Sequence, residues 1–447
     1  MAQSRYASQG TAIGQSLDRI ALRNPVTTPG TVYVVGAGLA GLAAAVDLAD
    51  AGCNVVLCES AGHAGGRCRS LYDEALNRTI DNGNHLILSG NIAVSAYLEQ
   101  IGSRDAVDGP DRAIYPFLDL KTGLRWSFQP GGGPLPLWLL AAGRRVPDTK
   151  PGDYLSAARL AWAGPDACVT DCLDPGSVVF SHLWEPMAVA ILNTQPEEGA
   201  ASLLWRVLAE TFGRGEVACR PRLARQGLGP ALIDPAIAHL RRRDASVSFN
   251  ARLRSIEFSD DRAVCLDFVS GRVDLGWNDV VVLAVPPQVA VNILPDITAP
   301  HESRAILNAH FCLDGPPQPM ALLGLVGGMS QWLFTRGDVV SVTVSAADGL
   351  MDESADTLAG QMWLEVCQAL NFGERPLPAH RIVKERRATF AQTPAEVRRR
   401  PPTRTAWRNI FLAGDWTNTG LPATIEGAIR SGHAAASAAL TGNVTKP

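Results

Sequence analysis

The chain has 447 residues, of which 46% are hydrophobic and 19% are charged, and its formal net charge is −4. This length allows two or three domains and a core large enough to enclose a cofactor. The composition is that of an ordinary globular α/β protein, and so small a net charge excludes a general nucleic-acid binder.

Residues 1–28 are rich in Ser, Gln and Thr and lack the apolar core of a signal peptide, so we predict a disordered leader. The nine cysteines are scattered, which favours free thiols and a cytoplasmic protein over a disulfide framework. No apolar run approaches the roughly 18–20 residues that cross a bilayer. We therefore expect no membrane span.

The first predicted strand, 31–35, leads directly into a GxGxxG motif and an Ala-rich helix at 42–51. Gly36 permits a tight turn, Gly38 lets the backbone approach a pyrophosphate, and Gly41 allows close packing of helix on strand. The phosphates would lie at the helix N-terminus, beside Leu39 and Ala40, where free N–H groups favour an anion. The pattern predicts a dinucleotide site.

A second buried strand, 54–58, ends in Glu59 and Ser60, with Glu59 standing 18 residues beyond Gly41. This is the ribose-binding position of a dinucleotide fold. A carboxylate there binds the ribose hydroxyls and repels a 2′-phosphate. The nucleotide is therefore expected to be FAD or NAD rather than NADP.

Two further motifs follow, Gly65-Gly66-Arg67 and Asp81-Asn82-Gly83-Asn84-His85. In this order the motifs resemble those of the flavin amine-oxidase and phytoene-desaturase superfamily, whose FAD domain has the glutathione-reductase-like Rossmann fold. The resemblance implies FAD as the cofactor. It also implies that Arg67 neutralises the pyrophosphate and that the backbone of the two glycine-rich segments passes the flavin ring.

The middle of the chain carries weaker signals. The apolar stretch 134–142 is expected either to touch a membrane surface or to form a buried helix end. The arginine runs 241–243 and 398–400 are expected to be solvated. Residues 247–258 are predicted to form paired strands, which by resemblance place the Leu253 backbone near the adenine. Residues 280–287 are predicted to form a buried strand.

Near the C-terminus a predicted strand, 409–415, ends in Gly414-Asp415, and a helix is predicted to begin near Thr424. The resemblance implies that Asp415 binds the ribityl or phosphate region. Ala423, Thr424 and Ile425 would then bring a positive helix dipole to the N1–C2 edge of the flavin, which stabilises its anionic reduced form.

Because both ends of the chain build one site, we predict an α/β fold with a discontinuous FAD-binding Rossmann domain and an inserted substrate-binding region with helical patterns. After the leader, the predicted FAD-binding parts are 29–95, 221–290 and 401–447, and the predicted substrate-binding parts are 96–220 and 291–400.

Several segments narrow the resemblance to the hydroxysqualene dehydroxylase family: 183–186 (LWEP), 192–194 (LNT), 387–390 (RATF) and 414–427. One departure is Asn84, where glutamine is expected. Membership implies reduction of hydroxysqualene to squalene in hopanoid biosynthesis, by protonation of the hydroxyl, loss of water and hydride transfer from reduced flavin. An allylic cation of this kind requires a site without bulk water.

The proton donor has two candidates. His85 ends a motif expected near the flavin, with Asp81 four residues away to orient it. Glu185 lies in an apolar segment, where burial would keep a carboxyl protonated. Each is equally compatible with a structural role. A dry tunnel could be lined by Trp138, Leu139, Leu140 and Trp184, or these side chains could be core.

Three other functions use the same fold. A polyene desaturase would remove hydride instead of delivering it. A flavin amine oxidase is disfavoured because Ile425 stands where those enzymes place an aromatic residue, and a non-catalytic carrier of prenylated lipids is disfavoured by the intact cofactor motifs. There is no second GxGxxG motif for a nicotinamide cofactor, so the electron donor stays open.

Overall fold

The computed structural model describes residues 30–133, 136–315 and 318–442. The predicted leader, 1–28, lies outside the described residues. The strands, in chain order, are β1 (Thr31–Val35), β2 (Asn54–Cys58), β3 (Ser70–Asp73), β4 (Arg78–Asp81), β5 (Ile87–Leu88), β6 (Val107–Asp108), β7 (Tyr115–Asp119), β8 (Arg125–Phe128), β9 (Pro221–Ala224), β10 (Ser246–Ser248), β11 (Leu253–Ser259), β12 (Arg262–Phe268), β13 (Gly271–Asp274), β14 (Val280–Leu283), β15 (Ser303–Cys312), β16 (Gln318–Val326), β17 (Trp332–Gly337), β18 (Val339–Ser345), β19 (His380–Phe390) and β20 (Ile410–Leu412).

The α-helices, in chain order, are α1 (Leu39–Asp50), α2 (Ile92–Gln100), α3 (Val169–Cys172), α4 (Glu185–Leu192), α5 (Ala201–Glu210), α6 (Asp234–Arg242), α7 (Pro287–Ile293), α8 (Ala355–Leu370), α9 (Pro394–Arg398) and α10 (Ile425–Thr441). 3₁₀ segments fill much of the region between β8 and α3, including Leu137–Leu140 and the longer Pro151–Trp162. Among the described residues, no helix combines the length and the apolar character that crossing a membrane demands.

A five-stranded parallel sheet in the order β10-β2-β1-β14-β20 collects strands from both ends of the chain. Alternate residues of β1 and β14 face opposite sides: Val32 and Val34 pack with α1 and α10, and Val35 packs with the β11-β12-β13 sheet. Both faces are covered, which explains the continuous apolar runs. Because the strands are parallel, the loops after β1, β2 and β20 meet at one edge of the sheet.

Helices α1 and α10 cross in close contact on one face of this sheet. A Cβ on Gly432 would overlap the carbonyl oxygen of Ala40, so the crossing requires glycine in α10. Nearby, His433 Nδ1 lies 2.6 Å from Asp47 Oδ2. The last helix is thereby fixed against the first one.

A seven-stranded sheet in the order β19-β15-β18-β17-β16-β7-β8 forms the second layer system, antiparallel except between β16 and β7. Helix α8 covers one face, and the region around α4 and α5 packs on the strands β7, β8, β16 and β17. Helical patterns were expected in the inserted region, but β15–β19 occupy much of its second part, 291–400. Their periodicity is obscured because both faces of the sheet are buried.

The prediction for 247–258 was wrong in its pairing. Strand β10 joins the parallel sheet beside β2, whereas β11 pairs with β12 in the separate three-stranded sheet. Asn250 lies between them at φ 57°, and the backbone N–H of Ala251 donates to the carbonyl of Glu59. This turn divides the segment 247–258 between two sheets.

Candidate functional site

The GxGxxG turn joins β1 to α1. Gly36 has φ 107°, and a Cβ there would overlap the carbonyl oxygen of Ala284. A Cβ on Gly41 would overlap the carbonyl oxygen of Gly36. At Gly38, in contrast, a Cβ would meet nothing within 4 Å, and no side chain caps the helix that begins at Leu39. The start of α1 thus has uncapped N–H groups and open space beside Gly38, which fits a phosphate.

Glu59 is held beside this turn by backbone donors. Its Oε2 accepts the N–H of Ala37 at 2.7 Å, and its Oε1 accepts the N–H of Ala61 at 2.8 Å and the hydroxyl of Ser60 at 3.0 Å. The turn before Leu253 is bonded to the Glu59 carbonyl, as described above. The acid, the turn and the start of β11 therefore adjoin, an arrangement that suits the adenosine half of a dinucleotide.

The Gly65-Gly66-Arg67 segment packs directly on the opening turn. Gly65 donates its N–H to the carbonyl of Ala37 at 2.8 Å. Gly66 has φ 54°, and a Cβ placed on it would lie 3.4 Å from the Cα of Gly38. The two glycine-rich backbones thus form one continuous wall.

Arg67 connects the opening motifs to the closing one. Its Nη2 lies 2.7 Å from Asp415 Oδ1, and its Nη1 donates to the carbonyl of Ala388 at 2.6 Å. The Asp415 carboxylate holds the pKa of Arg67 above its usual value. The Arg67 side chain remains 44% exposed where the opening turn meets the closing segment, a place called the cleft below. The segments near 36 and 415 therefore fold together, as the sequence predicts.

The closing segment places α10 at the same cleft. Gly414 has φ 148° and donates its N–H to the hydroxyl of Ser431 at 2.8 Å. Thr424 caps the helix by accepting the N–H of Gly427 at 3.1 Å, and Ala423 donates to Gln392 Oε1 at 2.9 Å. Helix α10 begins at Ile425, where the sequence predicts it.

The segment 81–85 is held against the seven-stranded sheet by a network of amides. Asn308 of β15 donates to the carbonyl of Asn82 at 3.3 Å and accepts the hydroxyl of Thr343 at 2.8 Å. Asn84 donates its side-chain N–H to the same Thr343 hydroxyl at 3.1 Å. A Cβ on Gly83 would lie 3.2 Å from the Asn308 amide. The amide at position 84 therefore has a structural partner.

Asp81 is buried, and its oxygens are occupied by groups other than His85. Its Oδ1 accepts the hydroxyl of Ser70 at 2.6 Å and the N–H of Leu228 at 2.9 Å. Its Oδ2 pairs with Arg336 at 3.0 Å. Among the described residues no hydrogen bond joins Asp81 to His85, so any effect on that ring acts through charge.

His85 lines a small cavity together with Met320, Phe334 and Arg336. Burial lowers the pKa of His85, the negative charge of Asp81 partly opposes this, and the positive charge of Arg67 adds to it, which leaves the pKa at about 4. The imidazole is therefore neutral near pH 7. No side-chain hydrogen bond of this ring to another described residue is formed, which leaves its nitrogens available.

Glu185 begins α4, whose far end carries Leu192 and Asn193. Burial, followed by the charge of Glu197, raises the pKa of Glu185. No hydrogen bond or ion pair joins Glu185 to the 81–85 segment among the described residues. The proton-donor candidates thus occupy separate places.

Sequence reasoning missed Gln392, which is fully buried and is bonded to two of the subfamily segments, 192–194 and 414–427. Its backbone N–H donates to the hydroxyl of Thr194 at 3.0 Å, and its side chain donates to the carbonyl of Leu192 and accepts from Ala423. The only available signal was its place two residues after the RATF segment. One side-chain amide therefore joins 192–194 to the residues just before α10.

The expected tunnel residues divide into two groups. Trp138 and Trp184 both contact the ring of Tyr154, each at a centroid distance of 6.3 Å, and Leu139 is buried with them. Leu140, in contrast, is 73% exposed and lines no interior wall.

The arginine run 398–400 was expected to be solvated. This prediction was wrong for Arg400, which is buried.

Comparison with known proteins agrees with this architecture. The family model described as flavin containing amine oxidoreductase matches residues 39–440. Putrescine oxidase bound to putrescine, a solved structure, superposes with a TM-score of 0.67 at 16% identity, covering 91% of this chain and 98% of the oxidase.

Two curated relatives are more similar in sequence. The hydroxysqualene dehydroxylase of Rhodopseudomonas palustris is 47% identical over 92% of this chain and 98% of its own length. The hydroxysqualene dehydroxylase of Sinorhizobium fredii is 45% identical over 92% of this chain and 99% of its own length. The chain therefore belongs to the flavin containing amine oxidoreductases and, within them, to the hydroxysqualene dehydroxylase family.

Proposed function

We propose that this oxidoreductase uses FAD to reduce hydroxysqualene to squalene in hopanoid biosynthesis. The observation that carries the proposal is the identity of 47% and 45% with two hydroxysqualene dehydroxylases over 92% of the chain. Two of the segments that mark the subfamily in the sequence, 192–194 and 414–427, are joined by Gln392 beside α10. Substrate and direction of reaction rest on these relatives.

The residues of the cleft suit FAD in particular. The open space at Gly38 and the uncapped start of α1 suit the pyrophosphate, and Glu59 suits the adenosine ribose. The capped N-terminus of α10 suits the pyrimidine edge of a flavin, because its dipole favours negative charge there. Arg67, still partly exposed, would face the phosphates while bonded to Asp415.

The reaction requires an acid and a dry cleft. Protonation of the hydroxyl lets water leave, and the allylic cation left behind survives only where bulk water is excluded. When bound, reduced FAD supplies a hydride, which carries two electrons and one proton to the substrate carbon. One alcohol, one hydride and one proton thus give one hydrocarbon and one water. The chain supplies the proton donor and the apolar walls.

We propose His85 as the proton donor, with Asp81 favouring its protonated form through charge. With a pKa of about 4, roughly one His85 in a thousand is protonated at pH 7, but that form is a strong acid. Glu185 is the second candidate, because its raised pKa also favours the acid form.

Replacement of His85 by Ala should retain FAD and slow single-turnover reduction by roughly 10²-fold, the scale of general acid catalysis. The rate of the unchanged enzyme should rise as the pH falls towards about 4, and this rise should vanish in His85→Ala. Glu185→Gln is the matched control. If Glu185→Gln slowed single-turnover reduction and His85→Ala did not, Glu185 would be the proton donor instead.

The function is tested by anaerobic incubation of the flavin-loaded, dithionite-reduced protein with hydroxysqualene, followed by mass spectrometry of the products. Squalene, formed in proportion to the flavin oxidised, is the expected result. Oxidised enzyme with phytoene is the parallel reaction. Formation of a desaturated polyene there, with no squalene in the first reaction, would replace the proposal with a polyene desaturase.

We also propose that the enzyme touches an anionic membrane surface through residues 137–162. Four large apolar side chains of this stretch are exposed: Leu137 (67%), Leu140 (73%), Leu155 (67%) and Trp162 (82%). The contact between Trp138 and Tyr154 brings its two 3₁₀ segments together. Such exposed aromatic and aliphatic groups are typical of interfacial binding.

The charges of the same stretch support an anionic surface. Arg144, Arg145, Lys150 and Arg159 form no ion pair with another described residue, and the carboxylates of the stretch are Asp148 and Asp153. A basic, apolar surface is attracted to acidic lipid headgroups. A C30 substrate would reach the enzyme from such a bilayer.

Flotation with phosphatidylglycerol vesicles should recover the protein, and flotation with phosphatidylcholine vesicles should recover less. Replacing both Leu140 and Trp162 by Ser should abolish recovery. Leu364→Ser, which changes an equally exposed leucine on α8, is the control. Equal recovery of all three proteins would exclude the 137–162 surface as the site of contact.

A further inference from the structure

Arg400 is the most heavily bonded buried cation near the cleft. It follows α9, and only 5% of its surface is exposed. Its guanidinium donates to the carbonyls of Asp415 at 3.0 Å, Thr417 at 3.0 Å and Leu421 at 2.8 Å, and to the hydroxyl of Thr419 at 3.0 Å. All these acceptors belong to residues 415–421, here called the closing loop.

We infer that Arg400 is the positioning residue of the closing loop, and that through this loop it sets the affinity and the electronic environment of the flavin. The inference rests on the proposed use of FAD. The closing loop begins with Asp415, the partner of Arg67, and leads into Ala423 and Thr424 at the start of α10. A shift of the loop would therefore move both the Asp415–Arg67 pair and the start of α10, which are the groups proposed to meet the cofactor.

The geometry requires arginine in particular. A guanidinium directs five N–H donors outward in one plane and can satisfy several carbonyls of a tight loop at once. A lysine ammonium has three donors on a flexible stem and cannot span the same acceptors. Other contacts are consistent with a fixed loop: Asn418 donates its N–H to the carbonyl of Pro401 at 2.8 Å, and the Arg400 guanidinium lies 5.2 Å from the ring centre of Phe390.

The charge of Arg400 adds a second effect. Its hydrogen-bond acceptors are neutral, and the nearest carboxylate, Asp415, is paired with Arg67. Burial accordingly lowers the pKa of Arg400 to about 10, which still leaves it charged at neutral pH. A buried positive charge at the loop that leads to α10 favours the anionic reduced flavin. Loss of that charge should lower the midpoint potential.

The test compares FAD dissociation constants, visible spectra and midpoint potentials of Arg400→Lys and Arg400→Gln with those of the unchanged protein. Both variants should bind FAD about tenfold more weakly or worse, which corresponds to roughly 1.4 kcal/mol. Both should show an altered flavin absorption envelope when saturated with FAD, and only Arg400→Gln should show a clearly lower potential. Arg399→Gln, at the exposed neighbouring arginine, should leave all three quantities unchanged.

Thr419→Val provides a second route, because it removes one acceptor of Arg400 without emptying the core. It should weaken FAD binding by a factor of about three, the scale of one modest hydrogen bond. The inference would be overturned, and the proposed function would stand, if FAD affinity, spectrum and potential were unchanged in Thr419→Val and in every folded Arg400 variant. If the protein without substitutions bound no FAD, the proposed function would be overturned as well.

Discussion

At the scale of single residues, the glycines of the opening turn have different tasks that can be separated. Gly41→Ala should destabilise the protein whether or not FAD is present, because its Cβ overlaps the Gly36 carbonyl. Gly38→Ala should leave the apoprotein as stable as before, because its Cβ enters open space, but should weaken FAD binding. Thermal melting with and without FAD measures both. Equal melting losses in the two apoproteins would contradict this division.

A second residue-scale prediction concerns His310, buried in β15 with its Nδ1 2.8 Å from the Ser341 hydroxyl. Burial lowers the pKa of His310 from 6.5 to about 4, with Arg336 also lowering it and Asp81 opposing. Between these values the unfolded chain binds more protons than the folded one, so stability falls as the pH drops from about 6.5 towards 4.

His310→Asn should remove this contribution. Between about pH 7 and pH 5 the free energy of unfolding of the variant should fall by roughly 2 kcal/mol less than that of the unchanged protein, since one pKa unit corresponds to about 1.36 kcal/mol. Urea titrations at both pH values measure the difference. Parallel pH dependence of the two proteins would assign the acid sensitivity to other groups.

Residue-level prediction from sequence worked where backbone geometry dictates residue type. Gly36 and Gly41 were expected to permit a turn and a close contact, and both positions have no room for a side chain. Prediction from sequence did not find the buried roles of Gln392 and Arg400. Such a role is identified by the hydrogen-bond partners of the side chain, and those partners are distant in sequence. An arginine inside a run of three resembles solvated surface.

At the scale of elements, Gln392 joins the end of β19 to the loop after α4 and to the start of α10. Gln392→Leu would leave the Leu192 carbonyl and the Ala423 N–H without partners, which costs roughly 2–5 kcal/mol of stability. FAD retention should fall with it. Gln195→Leu, an exposed glutamine near the same loop, is the matched control and should change neither quantity.

The outcome for Gln392→Leu is read from urea unfolding and from the flavin absorbance that remains after desalting. A stable variant that keeps its flavin would show that the subfamily segments are held by packing alone, without the amide.

Element prediction succeeded for β1 and β2, whose bounds match the predicted 31–35 and 54–58, because short β-branched runs beside a glycine turn are typical of buried parallel strands. It failed at 247–258, where Asn250 turns the chain from one sheet to another. The periodicity of a run reports burial, whereas the choice of partner strand depends on residues far along the chain.

At the scale of the whole molecule, one cleft is built by segments from both ends of the chain. FAD should therefore slow amide hydrogen exchange in residues 36–41 and 415–427 together. Exchange of α8, on the far face of the seven-stranded sheet, should not change and serves as the internal control. Protection of only one of the two segments would show that the cofactor binds one half of the cleft.

The α/β class could be predicted from the motifs. The meeting of the two chain ends could be predicted as well, because the GxGxxG turn and the strand that ends in Gly-Asp both serve one dinucleotide site in this fold. The predicted domain bounds stay a prediction. The seven-stranded sheet could not be predicted, since β7 and β8 precede the rest of it by nearly two hundred residues.

The crossing of α1 and α10 has a consequence for synthesis on the ribosome. Helix α1 is apolar along most of its length, and the helix that covers it is translated nearly four hundred residues later. At 5–20 residues per second, the side of α1 that packs on α10 stays uncovered for roughly 20–80 seconds. The nascent chain therefore exposes apolar surface on α1 for much of its translation. Chaperone supply should influence the yield of this protein more than the yield of a protein whose packed elements are neighbours in sequence.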